Sequence, residues 1–172
     1  HPISPTPADV AAARRLDGSF NRWFVDPLFG RGYPQDMVEW YGAHMPTFAW
    51  RDMDIIAEPF DVLGVNYYER ALVRHVDGGG HLQLESIRSV EHPRTLDREI
   101  YPWGLYDILA WLQHDYGAKR LVVTENGAAF ADELGADGRV HDAGRVEFLS
   151  RHLEQVVRAR KDGLGVEGYF AW

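Results

Sequence analysis

Residues 120–130 read RLVVTENGAAF, a short apolar run that leads into a carboxylate and a turn. The β-branched and apolar side chains of residues 120–124 predict a buried strand. Glu125 stands at the carboxyl end of that strand, and the Asn-Gly pair after it favours a turn. In parallel α/β folds the loops after the strands carry the chemistry. Glu125 is therefore a candidate catalytic residue, with a solvated turn glutamate as the alternative.

Helical patterns lie on both sides of this strand. Residues 102–116 place apolar side chains at the i, i+3, i+4 spacing of one helix face, and Gly117 is the expected stop. Residues 145–162 predict a second helix that ends at Gly163. Its solvent-exposed face is expected to carry the i, i+4 ion pairs Glu147–Arg151 and Glu154–Arg158. Its buried stripe is expected to comprise Val146, Leu149, Leu153, Val156 and Val157.

Two further strands complete the pattern. Residues 61–68 (DVLGVNYY) and 166–172 (VEGYFAW) are short apolar and aromatic runs typical of buried strands. The order strand, helix, strand, helix, strand predicts an α/β fold built from parallel βαβ units. Three strands alone do not decide between an open, doubly wound sheet and a closed barrel.

The N-terminal part of the chain is less regular. Residues 9–24 have helical composition, and residues 25–34 predict a loop with glycine and proline. Residues 35–58 are expected to be helical or irregular. Residues 71–98 are expected to be irregular, with a turn at 77–81 between short strands.

Polar and aromatic residues recur at the ends of the predicted strands. Asn66 and Tyr68 close the strand at 61–68, where a tyrosine hydroxyl could donate to a carboxylate and keep it ionised. Trp172 ends the last strand, and an indole stacks well on a sugar ring. The alternative for the aromatic residues is ordinary core packing.

Composition argues against several functional classes. The net charge is −8, which does not suit nucleic acid, and the chain has no cysteine for disulfides or metal. The sequence has no His-x-x-x-His pair, and no apolar run reaches the ~18 residues of a membrane span. Residues 163–168 (GLGVEG) match a dinucleotide motif but stand between a helix and a strand, the reverse of the required order. We expect no metal, nucleic acid or membrane partner and, without a signal peptide, a cytoplasmic protein.

Several segments together resemble glycoside hydrolase family 1, the β-glucosidase family. The resemblance covers essentially the whole chain, and its segments follow the order of the family. They are TENGAAF (124–130), FNRWFVDPLFGRGYP (20–34), DVLGVNYYER (61–70), EIYPWGLYDIL (99–109), DGRVHDAGRVEFL (137–149) and GYFAW (168–172).

The resemblance implies a fold, a reaction and a set of roles. The three strands would be strands six to eight of a (β/α)8 TIM barrel, and residues 1–172 the C-terminal part of an incomplete catalytic domain. Glu125 would be the nucleophile, Tyr68 its hydrogen-bond donor, Asn66 part of the polar lining and Trp172 the floor under the sugar. The expected reaction is retaining hydrolysis of a β-glucoside or oligosaccharide, without a cofactor, in carbohydrate metabolism and cellulose degradation.

Two departures from the family pattern leave alternatives open. The family's Asn-Glu-Pro motif, which carries the acid/base, is absent, and we do not assign Ala57-Glu58-Pro59 to that role. Arg98 stands where many members carry tryptophan on the leaving-group side. Arg98 is expected either to line that side, or to turn out to solvent or pair with Glu99 or a nearby aspartate. A 6-phospho-β-glycosidase remains an alternative because its phosphate-binding residues would lie beyond Trp172, and a non-catalytic remnant remains one because the acid/base motif is absent.

Overall fold

The structure is a computed structural model that describes residues 1–172. Contacts divide the chain into two units, the first with residues 1–59 and 71–88 and the second with residues 60–70 and 89–172. The second unit contains all the predicted site residues.

The first unit is mostly helical. Helix α1 (Pro7–Asp17) begins where the Thr6 side chain accepts a hydrogen bond from the Asp9 N–H, and a widened turn at 18–22 leads directly into α2. Residues 25–28, predicted as loop, belong instead to a helix that contains Pro27. The remaining elements are α2 (Trp23–Leu28), α3 (Gln35–Tyr41), α4 (Trp50–Ile56), β2 (Val73–His75) and β3 (Leu84–Ser86).

The two short strands of this unit confirm the predicted turn. They pair antiparallel, and Gly78 and Gly80 between them have φ of 75° and 68°. Glycine adopts these left-handed values without the steric cost of a side chain.

The second unit has the predicted alternation of strands and helices. Its three strands form a parallel sheet in the order β1-β4-β5. The elements are β1 (Leu63–Asn66), α5 (Trp103–Tyr116), β4 (Leu121–Asn126), α6 (Ala143–Lys161) and β5 (Val166–Ala171). Gly117 ends α5 with a φ of 74°, as expected from the sequence.

Helix α6 shows an error in the predicted core. Its buried residues are Phe148, His152, Val156 and Ala159, whereas Val146, Leu153 and Val157 are exposed. Apolar side chains cover two adjacent faces of this helix, and periodicity alone does not say which face packs. His152, which the predicted stripe does not include, is fully buried, and its ring centroid lies 4.0 Å from that of Phe148.

One of the two ion pairs expected on α6 is present. Arg151 lies 2.6 Å from Glu147, as predicted. Arg158, however, lies 3.8 Å from Asp162 and stacks on the Tyr106 ring, so the pair predicted with Glu154 is wrong. The Tyr106 ring offers the Arg158 guanidinium a cation–π contact, 3.9 Å from the ring centroid, that an exposed glutamate does not.

Candidate active site

The carboxyl ends of the three parallel strands bring predicted site residues to one edge of the sheet. Asn66 is the last residue of β1 and pairs with Glu125 of β4. Asn126 of β4 pairs with Ala171, the last residue of β5, and Trp172 follows. Neighbouring parallel strands end together, so residues from distant parts of the sequence meet here.

The pairing is irregular where the carboxylate emerges. Val65 pairs with Val123, but Asn66 pairs with Glu125, so Thr124 is an extra residue in the ladder. The Tyr67 N–H donates to the Glu125 carbonyl over 2.9 Å. Such bulges bend a strand and redirect its side chains.

A hydrogen bond joins the two residues expected to carry catalysis. The Tyr68 hydroxyl donates to Glu125 Oε2 over 2.7 Å, and both side chains are half-buried. Burial and this bond to Glu125 raise the pKa of the Tyr68 hydroxyl, which therefore stays protonated and able to donate. The bond occupies one carboxylate oxygen and leaves the other, Oε1, for a second partner.

Arg98 lies beside the Tyr68–Glu125 pair and contacts the aromatic ring of Tyr68. Its guanidinium carbon lies 4.3 Å from the ring centroid, and its Nε lies 3.4 Å from Asp97 Oδ2. The side chain is 41% exposed. Of the two expectations for Arg98, pairing with a neighbouring acid is therefore confirmed, while a contact with the leaving group stays a prediction.

Asn66 and Trp172 are held by different interactions. Thr124 Oγ1 donates to Asn66 Oδ1 over 2.7 Å, which fixes the orientation of that amide. The main-chain N–H of Trp172 donates to the main-chain carbonyl of Asn126 over 2.9 Å, and Trp172 as a whole is 79% exposed. A Cβ on Gly127 would lie 2.1 Å from the Trp172 carbonyl oxygen, so only glycine permits this approach.

Glu99 is a buried acid whose carboxylate is already engaged. Arg70 donates to both Glu99 oxygens, over 2.9 and 3.0 Å, and Glu99 is only 3% exposed. Burial opposes ionisation of Glu99, but the hydrogen bonds from Arg70 and Ser89 and the nearby positive charge together hold the carboxyl pKa below its ordinary value. Arg70 also stacks on Tyr101, at 4.1 Å from the ring centroid. This geometry makes Glu99 a structural ion-pair partner rather than a proton donor.

Two polar residues beside the site were missed in the sequence. Asn126 was assigned only to the Asn-Gly turn, and Tyr169 only to a buried strand. In the structure Asn126 is fully buried, and the Tyr169 hydroxyl donates to its Oδ1 over 2.6 Å. The signal in the sequence was that Asn126 directly follows the candidate catalytic carboxylate, but its partners Tyr67 and Tyr169 are far away in the sequence.

The described residues contain neither a metal-binding cluster nor a membrane-spanning helix. Within residues 1–172 no group of three or more His, Asp or Glu side chains is placed to hold a metal ion. None of the helices has the length and apolar character needed to cross a membrane.

Curated and solved relatives match this chain along its whole length. Beta-glucosidase A of Acetivibrio thermocellus is 32% identical over 177 residues, covering 100% of this chain and 39% of the relative. The 6-phospho-beta-glucosidase GmuD of Bacillus subtilis is 34% identical over 199 residues, covering 100% of this chain and 40% of the relative. The solved family 1 b-glucosidase of Thermotoga maritima has a TM-score of 0.91 at 34% identity, with 100% of this chain and 39% of that chain covered.

These matches confirm the predicted fold class and family. The sheet and helices of the second unit are part of a (β/α)8 barrel. The chain spans about two fifths of the length of the curated relatives it matches. The family model for Glycosyl hydrolase family 1 matches residues 1–172, and the chain therefore belongs to that family.

Proposed function

We propose that this chain supplies the nucleophile side of a retaining β-glycosidase site for terminal β-D-glucosyl or related β-glycosyl residues. The observation that carries the proposal is the 2.7 Å bond from the Tyr68 hydroxyl to Glu125 Oε2 at the carboxyl ends of parallel strands. A protonated phenol there orients the carboxylate and leaves Oε1 to attack the substrate. The names of the relatives, beta-glucosidases among them, favour the same reaction.

The proposed reaction has two displacements. Glu125 Oε1 first bonds to the anomeric carbon while the bond from that carbon to the leaving oxygen breaks. A second carboxylic acid gives its proton to the leaving oxygen. That group then takes a proton from water, whose oxygen attacks the anomeric carbon and releases Glu125. The two carboxyls of such enzymes stand ~5–5.5 Å apart, and neither step needs a metal or an organic cofactor.

The second carboxyl is proposed to come from outside these residues. The chain has no Asn-Glu-Pro motif, and Glu99 is engaged by Arg70. Relatives are more than twice as long as the matched segment. We infer that residues 1–172 are an incomplete part of the catalytic domain of a longer polypeptide. That polypeptide is called the full-length enzyme below. A (β/α)8 barrel needs roughly 200 to over 400 residues.

Asn66 and Trp172 are proposed to hold the sugar. Thr124 engages the Asn66 oxygen, so the amide nitrogen is left to donate to a substrate hydroxyl. The exposed indole of Trp172 offers a flat face for the sugar ring. Neither side chain acts on the bonds that break, so both are assigned to binding.

The decisive test is Glu125→Gln in the full-length enzyme, assayed on a neutral aryl β-glucoside. Glutamine has nearly the same shape but does not act as the nucleophile, so turnover should nearly disappear while the fold is kept. Glu154→Gln on exposed α6 is the matched control and should keep full activity. A 2-fluoro glucoside should label Glu125 covalently, as read by peptide mass. A Glu125→Gln variant with a tenth of wild-type kcat would overturn the assignment.

A 6-phospho-β-glycosidase is the second candidate, favoured by the similarity to GmuD of Bacillus subtilis. Its identity, 34%, is no lower than the 32% of beta-glucosidase A, so similarity does not separate the two substrates. The ratio of kcat/KM for an aryl glucoside and its 6-phosphate decides between them. Absence of turnover on both substrates would favour a non-catalytic remnant instead.

The isolated 172-residue chain is expected to be inactive. Its three-stranded sheet has two edge strands, β1 and β5, and it lacks an assigned acid/base. The assay is turnover of an aryl glucoside by the isolated chain; activity that depends on Glu125 would contradict the expectation. The cytoplasmic location stays a prediction, which cell fractionation would test.

A further inference from the structure

Asn126 connects the ends of all three strands. Its Nδ2 donates to the Tyr67 carbonyl over 2.8 Å, and its Oδ1 accepts from the Tyr169 hydroxyl over 2.6 Å. Its main-chain carbonyl accepts from the Trp172 N–H over 2.9 Å. The residue is fully buried, so these bonds are shielded from water.

These bonds fix the direction of the Asn126 amide. The Tyr67 carbonyl accepts only, so the amide nitrogen must face it. The amide oxygen then faces Tyr169, which must donate. Burial raises the pKa of the Tyr169 hydroxyl to about 12, so this donor keeps its proton at neutral pH. An aspartate at position 126 would lose the donor to Tyr67.

The Asn126 side chain forms its hydrogen bonds where the regular pairing of the three strands is interrupted. Pairing shifts by a residue between Val65 and Asn66 on one side, and again between Val123 and Asn126 on the other. The Tyr67 carbonyl belongs to the peptide that leads into Tyr68, and Asn126 follows Glu125 directly. The Nδ2 bond therefore ties together the two backbones that carry the donor and the carboxylate.

We propose that Asn126, held by Tyr169, is a positioning residue that sets the geometry between Tyr68 and Glu125. The inference rests on the proposed function, because it assigns a purpose to the bond between those two side chains. Neither Asn126 nor Tyr169 needs to touch substrate. Tyr169 is the better residue to change, since Tyr169→Phe removes one hydroxyl and keeps the ring.

A double-mutant cycle in the full-length enzyme tests this role through kcat/KM for an aryl glucoside. Tyr169→Phe should lower kcat/KM by about fivefold in the wild-type background, the scale of one neutral hydrogen bond. In the Tyr68→Phe background it should lower kcat/KM less than about twofold, because no Tyr68–Glu125 bond is left to misalign. Tyr106→Phe removes a hydroxyl from the bond to Asp162 and is the matched control, with full activity expected.

Further variants and outcomes make the test decisive. Asn126→Asp should lose more activity than Tyr169→Phe, and thermal unfolding of every variant checks that the fold is kept. Equal loss on Tyr169→Phe in both backgrounds would overturn this inference, and so would unchanged kcat/KM in the wild-type background. Turnover that survives Glu125→Gln would overturn the proposed function and this inference with it.

Discussion

Tyr68→Phe is the substitution whose cost follows most directly from the structure. It removes the hydroxyl that donates to Glu125 Oε2 over 2.7 Å and leaves the aromatic ring. The Arg98 guanidinium stacks on that ring at 4.3 Å from its centroid, a contact that phenylalanine retains. The variant should therefore lose one bond without moving the side chain.

The expected loss follows from the strength of that bond. A hydrogen bond to a charged group contributes ~1.5–3 kcal/mol, which is about 10–150-fold in rate if it is fully expressed in the transition state. Because Tyr68 and Glu125 are only half-buried, water replaces part of the interaction and the lower end, about tenfold, is expected.

The assay is kcat/KM of the full-length enzyme on a neutral aryl glucoside, with thermal unfolding as the check on folding. A kcat/KM within twofold of the wild type would refute the reasoning, since the bond would then do nothing for the reaction. A loss above about a thousandfold would refute it too, because a single hydrogen bond does not account for that much.

Three further predictions concern other parts of the site and its support. Arg98→Trp should raise kcat/KM on a neutral aryl glucoside and lower it on a carboxylated one, changing the ratio about fivefold because rim charges contribute under ~1 kcal/mol; equal shifts on both substrates would rule out aglycone selection. Glu99→Gln should lower the free energy of unfolding by ~1.5–3 kcal/mol, since Arg70 would keep only the exposed Glu91, 4.0 Å away, as an acidic partner, and denaturant titration would measure it. Burial lowers the pKa of His152 in the folded state below its ordinary value of 6.5. As pH falls, the unfolded state therefore binds the proton first. The contribution of neutral His152 to folding stability is complete above pH 6.5 and is lost as pH falls from there toward the folded-state pKa. His152→Leu should weaken that pH dependence of the melting temperature, and an unchanged profile would contradict it.

Local patterns in the sequence predicted the elements better than their packing. The helices α5 and α6 and the strand before Glu125 follow from periodicity and glycine stops, which depend only on neighbours along the chain. The buried face of α6 does not, because the apolar residues allow two faces and the sheet selects the one with Phe148 and His152. Strand β4 also runs two residues further than predicted, through Asn126, since pairing with β5 extends it.

The candidate site was predicted in the same partial way. Glu125, Tyr68, Asn66 and Trp172 could be named because they end predicted strands and match family motifs, and their roles stay predictions. The interactions of Asn126 could not be predicted, because a buried amide is explained only by its partners, and these are 43 and 59 positions away in sequence. Contacts between residues so far apart in the sequence produce no pattern among neighbouring residues.

The extra residue in β4 has a consequence for anyone who would redesign this sheet. Continuous pairing with β1 would set Glu125 opposite Tyr67, whereas the observed ladder sets it opposite Asn66. One position along a strand is ~3.3 Å, and it also reverses the face to which a side chain points. Deleting Thr124 to idealise the strand would remove the bulge, the first residue of the TENGAAF segment and the hydroxyl that donates to Asn66 Oδ1. A library of single-residue deletions should therefore find this strand end less tolerant than a library of substitutions at Thr124 suggests.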